Sequence, residues 1–249
     1  MVKGGNHGWL LLLLLLIMYD FKGNTKNLSR TYTGRMCINF TPPTRQQLED
    51  HFKVPTPEFE WKAETWQDYL APAIIDTGDG PFAFMASYGF VPKGHMPPGR
   101  RLTTMNARAE TIGPLPTYKR AWHLSQLCLI PMQAFYEPCY ETGKAVRTRI
   151  RLASGEPFAV AGMWRGWQEQ DGSTSYSFTQ ITINADHHAL MQRMHKPEDE
   201  KRSLVIIPRD QYDVWLNCKN PEQARNRLVN YQADQMDASP APQQSRSRT

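Results

Sequence analysis

The chain has 249 residues, 40% hydrophobic and 21% charged, enough to bury one sizeable core and without the pattern of two independent ones. Of its formal net charge of +5, residues 1–35 supply +4 (Lys3, Lys22, Lys26, Arg30 and Arg35 against Asp20), leaving about +1 for the rest; a polyanion would therefore have to meet a local patch. Cys37, Cys128, Cys139 and Cys218 form no C-x-x-C pair and lack histidines at zinc-finger spacing, which excludes a zinc-finger framework, fits a reducing compartment and leaves no metal or other cofactor expected.

The first feature along the chain is the run 9–18, ten residues with seven leucines and no charge. A membrane-crossing helix needs about 20 apolar residues, so this run cannot span, and no membrane partner is expected. As a signal-peptide core it is poorly flanked: Lys3 alone charges the preceding segment, and residues 19–24 offer no small-x-small cleavage site. The preferred reading is that Met36 initiates and that 1–35 are upstream nucleotides read as protein; export through 9–18 and a genuine extension are the alternatives.

From residue 36 to 231 the pattern is that of one ordered domain. Thr44 with Gln47 is a capping-box pattern that predicts a short helix through His51, ended by Pro55 and Pro57. Residues 82–91 and 126–136 read as apolar strands, with a helix over 117–125 between them that turns Trp122 to the core. Three further strands are predicted over 145–152, 158–167 and 174–183, joined through Ser154-Gly155 and Asp171-Gly172. Such sequential hairpins imply antiparallel pairing. Asp186 is placed to cap a helix reaching Met194, 203–207 returns as a strand, and Asn220-Pro221 opens a last helix as N-cap and first residue. The predicted class is α+β, mainly antiparallel sheet with short helices. Residues 232–249, rich in Ser, Pro, Gln and Ala with Met236 as the one large aliphatic, are expected to be a disordered tail.

Read singly, the polar residues of this domain have ordinary explanations. Cys128 sits in the apolar run 127–130 as a buried thiol, Glu137 ends an apolar strand, Arg108 and Glu110 make a surface pair, and His195 follows a helix.

Together they form a pattern. Met36-Cys37, Asn106-Ala107-Arg108-Ala109-Glu110-Thr111, Pro131-Met132-Gln133-Ala134-Phe135-Tyr136-Glu137, Ala161-Gly162-Met163-Trp164 and His195 occur in the order and spacing of the SRAP (SOS-response-associated peptidase) family of abasic site processing proteins, which the chain resembles over residues 36 to 217. The resemblance implies a single SRAP-like domain, with Cys37 as nucleophile, Asn106 beside the reacting end, Glu137 as acid/base and His195 moving protons near the sugar. Arg108 would approach the DNA backbone, with Arg100, Arg101, Tyr88 and Trp164 as further candidates for holding single-stranded DNA, although Trp164 is more readily a core residue. The chain departs from the family after His195, where Lys196-Pro197-Glu198-Asp199-Glu200-Lys201-Arg202 replaces an Arg-Met-Pro pattern. It departs also at Asn39, where arginine is usual, and at Tyr88, where tryptophan is.

The implied chemistry is covalent capture of the ring-opened abasic aldehyde. A primary amine forms a Schiff base, and a cysteine bearing that amine closes a thiazolidine with its own thiol. An α-amino group, with pKa about 7.7–8.0 against about 10.4 for lysine, is substantially neutral near pH 7. Cys37 must therefore be N-terminal, which requires removal of residues up to Met36. The expected partner is single-stranded DNA carrying abasic sites, met as a monomer in the cytoplasm at the nucleoid, in DNA damage repair and the SOS response. A lyase-type activity, a thiol peptidase or autopeptidase acting through Cys37, and a non-covalent single-stranded DNA module are the other readings.

Overall fold

Strands buried on both faces form the centre of this protein: all six residues of the run Leu127–Met132 and the first six of Phe158–Gln168 are buried. The computed structural model describes residues 39–100 and 102–242; the expectations for residues 1–35, Met36 and Cys37, Arg101 and the last residues of the tail lie outside them. In chain order the described elements are β1 (Asn39–Thr41), α1 (Arg45–Phe52), β2 (Thr65–Trp66), β3 (Leu70–Asp76), β4 (Pro81–Tyr88), β5 (Asn106–Arg108), α2 (Pro116–His123), β6 (Leu127–Met132), β7 (Ala134–Cys139), β8 (Val146–Leu152), β9 (Phe158–Gln168), β10 (Thr174–Asn184), β11 (Arg202–Leu204), β12 (Ile206–Ile207), α3 (Tyr212–Leu216), α4 (Pro221–Arg225) and β13 (Met236–Pro240).

The helix ends follow local chemistry. Thr44 accepts from the Gln47 N–H while Gln47 reaches back to the Thr44 N–H, closing the capping box at α1. Asn220 accepts from the N–H groups of Glu222 and Gln223 at the start of α4, with Pro221 giving up only a donor that a first turn leaves unused.

The strands form two sheets. One runs β13-β8-β7-β1-β2, antiparallel throughout. In the other, β10, β4, β3, β6 and β9 pair in sequence and β9 pairs back to β10, which closes a barrel-like circuit; β11, β5 and β12 attach to its rim. Most of these pairings are antiparallel as expected, but β10 runs parallel to both β4 and β5. Two cores result from the period of two along the barrel strands. Leu127, Leu129, Ala159, Ala161 and Met163 face the helices, against Trp122 and Trp215. Their neighbours Cys128, Ile130, Phe158 and Val160 face the other way, with Phe40, Phe135 and Ile150 of the first sheet. Gly162 is needed where β6, β9 and β10 crowd: a Cβ there would lie 2.5 Å from Ile130 Cδ1 and 2.9 Å from the Thr179 carbonyl oxygen.

Five expectations are corrected. The strands expected to form a hairpin through Ser154-Gly155 do not pair, because β8 lies between β7 and β13 in the first sheet while β9 pairs with β6, β10 and β12 in the other. The apolar run 126–136 is two strands, because Gln133 leaves the ladder to bond the carbonyls of Thr41 and Pro42, so β6 and β7 enter different sheets. Asp186 opens no α-helix; its carboxylate accepts from the Lys201 N–H, and only a 3-10 turn forms at Met191–Arg193, where His188 Nδ1 accepts from Leu190 and Met191. The strand over 203–207 is broken at Val205, which gives its N–H to β10 and its carbonyl to β9. The tail expected from Gln232 is ordered through Pro240: Met236 is buried, β13 pairs with β8 over five residues, and Asp237 meets Arg151 at 3.1 Å, so tertiary pairing supplies what its composition does not.

Candidate functional site

The site is built around β7. Phe135 packs into the core while its ladder partner Phe40 brings β1 alongside, and Glu137 follows on the same face, only 3% exposed. A carboxylate this deep needs a partner, and it has one: its Oε2 lies 3.0 Å from His195 Nε2. His195 is aimed by its backbone, which takes a left-handed conformation (φ 61°) and donates its N–H to the Pro138 carbonyl at 2.7 Å. Histidine tolerates that conformation better than most side chains.

Burial drives the His195 pKa down, but the charge of Glu137 and the hydrogen bond to it outweigh burial and leave it above 6.5. The imidazole thus keeps its proton to higher pH than a free histidine does, and its Nδ1, also buried, has no hydrogen-bond partner among the described residues. A protonated imidazole beside a carboxylate can give and take protons at a carbonyl or imine.

Asn106 and Arg108 come from β5, which is laid parallel on β10 with Asn106 opposite Gln180 and Arg108 opposite Thr182. The alternation turns Ala107 into the core and leaves Asn106 and Arg108 on a common face. Arg108 Nη1 lies 2.7 Å from Glu200 Oε2. Glu200 also binds Arg202, which is 2% exposed and held bidentately by Glu110, with 2.9 Å to each oxygen.

The remaining candidates separate. Tyr88 is fully buried, stacked on Phe178 at 5.3 Å and donating to Gln180 Oε1, so it offers no face to a base and is corrected from a DNA contact to a core residue; its ring also packs edge-on against Phe40. Trp164 is half-buried against Phe84 and Tyr176, the arrangement of a core residue. Arg100 is exposed in a turn closed by its N–H to the Pro97 carbonyl. Cys37 and Arg101 lie outside the described residues. Sequence reasoning missed Gln180, Glu200 and Arg202, although the three acids followed by two bases at 198–202 were a visible signal for the last two. It also missed Glu64, which accepts from Asn39 Nδ2 at 2.9 Å and binds Arg147 through both oxygens, and so fixes the strand that starts two residues after Cys37. Among the described residues, no cluster of three or more His, Cys, Asp or Glu is placed to hold a metal ion, and no helix is long and apolar enough to cross a membrane.

Comparison with known proteins gives a consistent result. A family described as SOS response associated peptidase (SRAP) matches residues 33–245. The Bacillus subtilis proteins named abasic site processing protein YoaM and YobE are similar to this chain. YoaM is 32% identical over 213 residues, covering 82% of this chain and 89% of that protein; YobE is 34% identical over 137 residues, covering 54% and 59%. A crystal structure from Bordetella bronchiseptica superposes with a TM-score of 0.74 at 32% identity, covering 83% of this chain and 100% of the other. One from Bacteroides thetaiotaomicron, at 16% identity and a TM-score of 0.68, shares the fold.

Proposed function

The chain belongs to the SRAP family, and from that premise we propose that it processes abasic sites in DNA by covalent capture, with Cys37 as the N-terminal residue that reacts. The observation that carries this reading is the buried Glu137–His195 pair on a strand hydrogen-bonded to β1, whose first residue is two past Cys37. The names of the two Bacillus relatives support abasic DNA as the substrate.

In the proposed sequence the neutral α-amine of Cys37 adds to the C1′ aldehyde of the opened deoxyribose, and the carbinolamine loses water to give an imine. The Cys37 thiol then adds across the C=N bond, its proton going to nitrogen, and closes the thiazolidine. One water is lost overall. His195 gives the proton with which hydroxide leaves as water, and Glu137 takes the proton that the resulting iminium nitrogen sheds and passes it back to the imidazole 3.0 Å away; tuned acid/base groups of this kind contribute about 10²–10⁴ in rate. Asn106 positions the reacting end, and Arg108, with Arg100 and Arg101, holds the phosphates of a single strand.

Intact mass spectrometry of a chain beginning at Cys37, mixed with a single-stranded oligonucleotide carrying one abasic site, tests the reading. The expected product is a denaturation-resistant adduct equal to the two masses less one water, absent for the 249-residue chain unless it is cut after Met36. An adduct from the uncut chain overturns the requirement for a free amine. No adduct with either favours a thiol peptidase, which release of residues 1–36 or turnover of added peptide would reveal, or a non-covalent DNA-binding module.

A further inference from the structure

The segment that follows His195 carries three carboxylates in a row, Glu198, Asp199 and Glu200, and brings the last of them to Arg108. Glu200 is held from three directions. Its Oε2 accepts from Arg108 Nη1 at 2.7 Å, and its Oε1 accepts from Arg202 Nη1 at 2.8 Å and Asn184 Nδ2 at 3.3 Å. Burial works against its charge, but Arg202, Asn184 and Arg108 together keep its carboxyl below the ordinary range, so it is an anion at neutral pH.

Arg202 does not depend on Glu200 for its pairing, since Glu110 already engages both of its terminal nitrogens and the Thr182 carbonyl takes a further bond. What Glu200 does to Arg108 is therefore separable from the support of a buried arginine. At Arg108 its carboxylate takes the place a phosphodiester oxygen would take, a charge-assisted bond to a guanidinium. Both side chains are about one-third exposed, 32% and 35%, so the pair is open to exchange with an incoming anion, unlike the enclosed pair at Glu137.

We propose that Glu200 is a built-in rival of the DNA backbone at Arg108: it neutralises and orients the guanidinium in the free protein, and the incoming strand displaces it. Glu200 then sets how tightly single strands are held before any covalent step. The inference rests on the reading of this site as one that binds DNA.

The test is fluorescence anisotropy of the full chain with a labelled single-stranded oligonucleotide that has no abasic site, at several salt concentrations. Glu200→Gln, which keeps an oxygen for Arg202 and Asn184, is expected to tighten binding about 2- to 5-fold at low salt, the range of a partly exposed ion pair, with the gain fading as salt screens it. Glu200→Asp, too short to reach Arg108, gives a smaller gain in the same direction. Glu198→Gln removes the same charge from the same segment and leaves binding within about 1.5-fold. In an Arg108→Ala background the Glu200→Gln gain disappears. Unchanged or weaker binding by both Glu200 variants, or a gain that survives the loss of Arg108, overturns the inference while leaving adduct formation intact. Failure of the wild-type chain to bind the strand at low salt, together with no adduct in the mass experiment, removes the DNA reading itself and this inference with it.

Discussion

Glu137–His195 and Arg108–Glu200 are two carboxylate–cation pairs of similar length, 3.0 and 2.7 Å, in different surroundings: side-chain exposures are 3% and 5% for the first, 35% and 32% for the carboxylate and cation of the second. The difference is one of replaceability. A charge that water cannot reach is committed to its partner, and removing one leaves the other stranded; a charge at the rim can change partners at little cost. The enclosed pair is suited to moving a proton at a fixed point, and the open pair to meeting an anion that comes and goes.

The contrast can be broken at its strongest point first. Glu137→Ala is expected to cost about 3–5 kcal/mol in chemical denaturation and to slow adduct formation about 10²- to 10⁴-fold; a stable variant reacting at the wild-type rate would show that enclosure does not commit the pair. Arg202 is the intermediate case, a 2% exposed cation whose carboxylate partners are 49% and 35% exposed. Arg202→Ala should cost about 2–3 kcal/mol, the worth of buried hydrogen bonds to a charge, measured by the same unfolding curves. The pH dependence sharpens the comparison further. Because the folded pKa of His195 lies above 6.5, its contribution to stability is complete below 6.5 and is lost as pH rises through the folded value, at no more than about 1.4 kcal/mol per pH unit. Thermal melting against pH should show that decline, and His195→Asn should remove it. Smallest of all, Arg108→Ala should change stability by less than about 0.5 kcal/mol while reducing the salt dependence of single-strand binding by about one phosphate contact.

How much of this was legible in the sequence depended on how local the cause was. The caps at Thr44 and Asn220 and the β9–β10 hairpin are set by residues a few positions apart, and they formed where the pattern placed them. β13 was invisible because Met236 is its one large aliphatic residue, and its order comes from a ladder with residues 148–152. β5, three residues long, was read as a motif and not as a strand; only its parallel lodging on β10 sets Asn106 and Arg108 side by side. Tyr88 was misread for a similar reason: an aromatic at the end of a strand can face outward or inward, and the acceptor that makes burial of its hydroxyl affordable, Gln180, is 92 residues away. The acidic run after His195 stood out only as a departure from the family pattern, since nothing local says that Glu200 meets an arginine 92 residues earlier.

The closed circuit of strands also bears on how fast this protein can assemble. The Ser87–Ser177 union that joins β4 to β10 in it, like Phe40 with Phe135 and Arg151 with Asp237 in the other sheet, brings together residues roughly ninety positions apart. Closing loops of that length adds little to the equilibrium cost, because closure entropy grows only with the logarithm of length, but a topology dominated by distant pairings folds slowly. A chain caught before β10 reaches β4 would present two unpaired strand edges at once, the kind of surface that templates aggregation. Refolding from denaturant should therefore be slow and sensitive to protein concentration.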